Sequence, residues 1–212
     1  MSEWVDSYGT ERRDLPYPSA VPHQDADVAI DHIGSAAVPY LLKWMVYETT
    51  AGKKRFYQGV NPILGKLKHT WQLNDTKEFM RAFYALQAFN ALGSKAENAI
   101  ADLTKLANGG PPSTQRSRIY AVVVLGEMGK AGLPALVGML TNQSALRGKW
   151  TLESPTIARY IGQNAWRDRN LARAAVPALL QMLKDPDAEK SRWATYALEG
   201  IDSRTLKTNR VE

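Results

Sequence analysis

Residues 122–136 read VVVLGEMGKAGLPAL, three valines running toward Gly126, Gly129 and Gly132, with Lys130 after the second glycine. A β-branched run ahead of a glycine-rich turn and a lysine is how a phosphate-cradling loop begins: glycines let backbone N–H groups close on a phosphate, and the lysine adds charge. The spacing excludes it. Such a loop needs glycine five residues before the Gly-Lys pair and Ser or Thr after it, and those positions hold Val124 and Ala131. A dinucleotide fingerprint needs G-x-G-x-x-G, whereas this stretch is G-x-x-G-x-x-G.

Other reactive groups are equally scattered. His23, His32 and His69 lie far apart with no H-E-x-x-H spacing, and the chain has no cysteine to supply a thiolate, a soft metal ligand or a disulfide. His32 follows Asp31 late in a helical pattern, where it suits capping or packing. Asp185 and Asp187 are spaced as helix-start carboxylates and not as a catalytic pair, and no serine sits in a G-x-S-x-G elbow. The expectation is a protein with no catalytic residue, no metal and no cofactor, which works by binding.

What it would bind is suggested by charge. The net charge of +6 is unevenly spread. Residues 43–69 hold Lys43, Lys53, Lys54, Arg55, Lys66 and Lys68 against Glu48 alone, and residues 147–173 hold Arg147, Lys149, Arg159, Arg167, Arg169 and Arg173 against Glu153 and Asp168. Trp71 lies just beyond the first segment, and Trp150 and Trp166 lie inside the second. Two basic segments on a mildly acidic body could attract an anionic partner, and they could equally be a solvated face. Tryptophans among basic residues could stack bases; Trp44, Trp71 and Trp193 could instead fill gaps between packed helices.

The elements that must position these groups repeat along the chain. IGSAAVPYLLKWM (33–45), MGKAGLPALVGML (128–140) and AAVPALLQML (174–183) share one pattern, and AIADLTKL (99–106) follows it loosely. Apolar residues at i, i+3, i+4 and i+7 define one helix face: Val38, Leu41, Leu42 and Met45; Leu133, Leu136, Val137 and Leu140; Val176, Leu179, Leu180 and Leu183. Proline suits the first helical turn, where its missing N–H is not needed. Upstream lie second amphipathic faces, Ala82, Ala85, Leu86 and Phe89, then Ala121, Val124, Leu125 and Met128, then Ala194, Ala197, Leu198 and Ile201. Gly34, Gly93, Gly129 and Gly162 fall where such a helix must end. The predicted unit is therefore helix A, a glycine turn and helix B, with Asp185 as N-cap and Pro186 opening the last A helix. Aligned on the proline position, which Ala101 fills in the second copy, the copies stand at 39, 101, 134 and 177, so the spacings are 62, 33 and 43 residues. The two longer ones imply insertions, at about 46–75, with an extra helix within NPILGKLKHTWQL, and at about 144–172, and the basic segments 53–69 and 147–173 are expected to project as loops from one edge.

LGEMGKAGLPALVGML and AAVPALLQMLKDPDAEKSRWATYALEGI resemble HEAT repeats, especially the short bacterial type grouped with bilin-lyase-like motifs. The resemblance covers residues 26–202 and implies an all-α, right-handed α-solenoid of four to five helical pairs, usually a protein-binding scaffold. Residues 1–25 would cap the array or form a tail, and 203–212 would be a polar tail. On this reading a protein or peptide partner with an acidic surface docks against Lys53, Lys54, Arg55, Lys66, Lys68, Arg147, Lys149, Arg167, Arg169 and Arg173, with Trp150 and Trp166 beside them. The alternative is nucleic-acid binding, since some HEAT-like DNA glycosylases use such a solenoid; their site has no residue-by-residue match here, so that likeness is of fold and charge. A bilin-lyase role finds neither a cysteine nor a chromophore pocket. No apolar run approaches the ~20 residues of a membrane span, and the start, SEWVDSYGTERR, has no signal-peptide pattern, which leans toward the cytoplasm.

Overall fold

The computed structural model describes residues 24–46, 55–56, 58–62, 76–145 and 151–202. The fold is all-α, with no strand among the described residues. The chain divides into two compact units, Met1–Ala91 and Leu92–Glu212.

In the first unit, α1 (Gln24–Ile33) passes through a 3-10 turn (Gly34–Ala37) into α2 (Val38–Met45), and both helices pack on the turn. Residues 58–62 are helical, and of the NPILGKLKHTWQL stretch expected to add a helix only Asn61 and Pro62 fall among the described residues; of the proposed cap at 1–25, residues 1–23 lie outside them, while Gln24 and Asp25 belong to α1. Helix α3 (Thr76–Leu92) completes this part, with the expected face of Ala82, Ala85, Leu86 and Phe89 buried.

The second unit opens on a 3-10 turn (Gly93–Ala99) and continues through α4 (Ile100–Ala107), α5 (Gln115–Glu127), α6 (Leu133–Ala145), α7 (Ser154–Asn164), α8 (Arg169–Arg173), α9 (Val176–Leu183) and α10 (Ala188–Ile201). The A helices α5, α7 and α10 pack in series, α7 touching both of the others, and the B helices α6 and α9 pack on each other. Each B helix also packs on the next A helix: α4 on α5, α6 on α7 and α9 on α10.

The local rules that produce this are visible. Pro39, Pro134, Pro155 and Pro177 each occupy the second position of a helix. Gly34, Gly93 and Gly129 turn the chain with φ of 62°, 51° and 60°, a left-handed conformation that a Cβ would strain. The valines of VVVLGEMG belong to α5, where Ala121, Val122, Val124 and Leu125 are buried. Leu133, Leu136, Val137 and Leu140 are buried as the helical spacing predicts.

Four expectations need correction. Gly162 does not end a helix; it lies inside α7, where a Cβ would stand 2.8 Å from Ala197 Cα. At the same crossing a Cβ on Gly200 would stand 2.7 Å from the Gly162 carbonyl oxygen, so both glycines serve close approach of α7 and α10. The N-cap of α10 is Asp187, which accepts from Glu189 N at 2.9 Å, while Asp185 accepts from Asp187 N and Pro186 stays outside the helix. In α9 the buried face is Ala178, Leu179 and Met182, continuing from Ala175, and Val176, Leu180 and Leu183 are only half-buried; the helix is turned to meet α6 and α10. Residues 147–173 are not one projecting loop, because the middle of that segment is α7, with Ile157, Ala158, Tyr160 and Ile161 buried.

The crossing yields a paired prediction. Gly162→Ala should separate α7 from α10 and destabilise the protein by about 1–3 kcal/mol, the usual cost of overpacking. Gly138→Ala, in the exposed middle of α6 with open space around it, should stabilise it by roughly 0.5–1 kcal/mol through helix propensity. Thermal unfolding of the two variants would read opposite shifts in Tm; shifts of the same sign would refute the assignment.

Candidate functional site

Helix α7 is buried along most of its length, and each of its ends carries a polar feature. At the C-terminal end Asn164 is buried and donates through Nδ2 to Gly126 O and Tyr160 O, both at 3.0 Å. This ties the end of α7 to α5 and sends the chain outward into the turn Ala165–Arg167. Asp168 then caps α8 by accepting from Leu171 N at 3.1 Å.

On this connection the structure gathers four of the expected binding residues: Trp166, Arg167, Arg169 and Arg173, all exposed. Trp166 is 71% exposed, with the Arg167 guanidinium 4.7 Å from its ring centroid. The same guanidinium lies over the Gly129 turn, where a Cβ would meet Nη1 at 3.0 Å. It therefore lies near the C-terminal end of α5, where the helix dipole favours a cation. Arg173 faces Asp202 at 3.8 Å, an exposed pair of the kind that holds an arginine weakly. Of the other expected residues, Arg55 is exposed in the first unit, while Lys53, Lys54, Lys66, Lys68, Arg147, Lys149 and Trp150 lie outside the described residues.

Arg159 does not join the cluster. Its guanidinium lies 4.7 Å from the Tyr160 ring and 5.8 Å from Trp193, and its Nε is buried without a hydrogen-bond partner among the described residues. Trp193 stands edge-on to Tyr196 at 5.5 Å. The neighbouring Tyr160 hydroxyl donates to Glu127 Oε1 at 2.9 Å. Burial, helped by that bond and by the Glu127 charge, holds the Tyr160 hydroxyl above its ordinary pKa.

The N-terminal end of α7 holds a feature that sequence spacing missed. Glu153, 3% exposed, immediately precedes the helix and accepts from Arg118 Nε of α5 at 2.7 Å. The bond uses Oε1 and Nε, which leaves Oε2 and the two terminal guanidinium nitrogens outside it. The pair lines an open pocket of about 400 Å³, with Met139, Asn142, Gln143 and Leu152 around it. Ser154 Oγ donates to Gln143 Oε1 at 2.6 Å, and Gln143 Nε2 donates to Thr151 Oγ1 at 3.3 Å, so the glutamine amide is held in one orientation. Among the described residues no group of three or more His, Asp or Glu side chains is placed to hold a metal ion, and no helix is long and apolar enough to cross a membrane.

Two predictions follow from these contacts. Arg118→Met would strand a buried carboxylate and should cost about 2 kcal/mol, less than the ~3–5 of a fully buried pair because the arginine is about a third exposed. Glu153→Gln, which can still accept the hydrogen bond, should cost about half as much; urea unfolding checks the order, and a larger loss for Glu153→Gln would contradict it. For Tyr160, the folded state holds the proton more tightly than the unfolded chain does. Its stabilisation is therefore full below about pH 10 and is lost as pH rises through the raised folded value. Unfolding at about pH 8 and about pH 11 should show a smaller alkaline loss in Tyr160→Phe than in the parent protein; equal losses would count against the raised value.

No family model matches the chain, and neither does any curated protein or solved structure.

Proposed function

We propose that the helix pairs are HEAT-like repeats of a right-handed α-solenoid, and that the protein is a non-enzymatic scaffold that docks an acidic protein or peptide. The observation that carries this reading is the α7–α8 connection, where a tryptophan 71% exposed lies against Arg167, with Arg169 and Arg173 exposed on the short helix that follows. Tryptophan and arginine are the residue types most enriched where protein interfaces concentrate their binding energy. Arginine forks suit carboxylates held bidentately, and the ring offers an apolar anchor beside them. The order of packing supports the scaffold part: A helices meet A helices and B helices meet B helices, as in stacked two-helix repeats.

Nucleic acid is the competing partner, because a base can stack on an exposed ring beside arginines. Against it, Arg159 is turned inward over Tyr160 and Trp193, which thins the charge available to a phosphate backbone. One experiment tests the reading. The full chain and its Arg167→Glu, Arg169→Glu, Arg173→Glu triple variant are used as bait in a lysate of the native cell, and binding to a random DNA duplex is measured at about 50 mM salt. A protein captured by the parent chain and lost by the variant, with no DNA binding, is the expected result. Unchanged capture, or DNA affinity falling steeply with salt, would overturn it.

A further inference from the structure

The pocket at the N-terminal end of α7 is chemically unlike the basic turn at the other end. Its two charged groups, Arg118 and Glu153, are already paired with each other at 2.7 Å, so the pocket carries no net charge of its own from them. An anion drawn to the guanidinium must also approach the carboxylate, and a cation drawn to the carboxylate must approach the guanidinium; attraction and repulsion at similar distances largely cancel. A neutral group with both a donor and an acceptor escapes that cancellation. It can donate to Glu153 Oε2 and accept from a terminal nitrogen of Arg118, the atoms left outside the pair. Asn142 at the mouth and the fixed amide of Gln143 add donors and acceptors without charge, while Met139 and Leu152 supply apolar surface. A volume of about 400 Å³ falls within the ~300–1,000 Å³ of small-molecule sites.

We propose that this pocket binds a small neutral ligand carrying a planar carboxamide edge, oriented by the Arg118–Glu153 pair and seated against Met139. The inference is independent of the scaffold reading, since no residue of the α7–α8 connection lines the pocket.

Benzamide, benzoate and benzamidine share one ring and differ only in the edge they present, so they make suitable probes. Titrated into the full chain by calorimetry at millimolar concentration, benzamide should bind at least about tenfold more tightly than either charged analogue, because a site built for donor and acceptor rejects a ligand that lacks one. Asn142→Trp, at an exposed position on the rim, should weaken benzamide binding by at least about tenfold by filling the mouth. An N-acetylated, C-amidated Gly-Gln-Gly peptide run in parallel distinguishes a free small molecule from a side chain presented by a peptide. Tighter benzamide supports the free molecule, and a tighter peptide supports the presented side chain. The proposal is overturned if benzoate or benzamidine binds as well as benzamide, if benzamide does not bind, or if Asn142→Trp leaves its affinity unchanged.

Discussion

The second unit depends on how closely α7 and α10 approach. Gly162 and Gly200 let one backbone rest on the other, a Cβ on either being blocked by the main chain of the opposing helix. Contact at that distance leaves little room for adjustment, because interiors are packed like crystals and transmit strain. It fixes the angle of α7, and α7 in turn meets α5, α6 and α10. Ile157 and Ile161 of the same helix are buried, each worth about 1.5–3 kcal/mol.

Because α7 is so constrained, whatever is attached to its ends is constrained too. An eleven-residue helix spans about 16 Å, and that distance separates two kinds of surface. The C-terminal end presents an exposed tryptophan among arginines; the N-terminal end presents a buried carboxylate paired to an arginine inside a pocket. The first is open and basic; the second is concave and charge-balanced. Groups at the ends of a rigid element are positioned more sharply than on a long loop.

Much of this was legible in the sequence because single residue types have single local meanings in a helix pair. Proline in the first turn and glycine at positive φ mark helix start and helix end, and Pro134 and Gly129 occupy those places. Gly162 departs from that rule because glycine has a second use, close approach between helices, which no local pattern distinguishes from a turn. The N-cap fell on Asp187 and not Asp185 because either aspartate can begin a helix, and the choice depends on where α10 meets its neighbours. The basic–aromatic turn could be found from charge and exposure-prone composition alone. The Arg118–Glu153 pair could not: its partners are 35 residues apart, and Glu153 reads locally as one acidic residue in a basic segment. Only packing brings that pair together and encloses it.

The claim that α7 is the rigid centre of this unit is tested most directly by native-state amide hydrogen exchange. The slowest amides of the second unit should be those of α7 and α10, exchanging together through one cooperative opening, with α8 exchanging far faster as a short exposed helix. If α7 exchanges as quickly as α8, or opens separately from α10, the glycine crossing is not what holds this part of the molecule together.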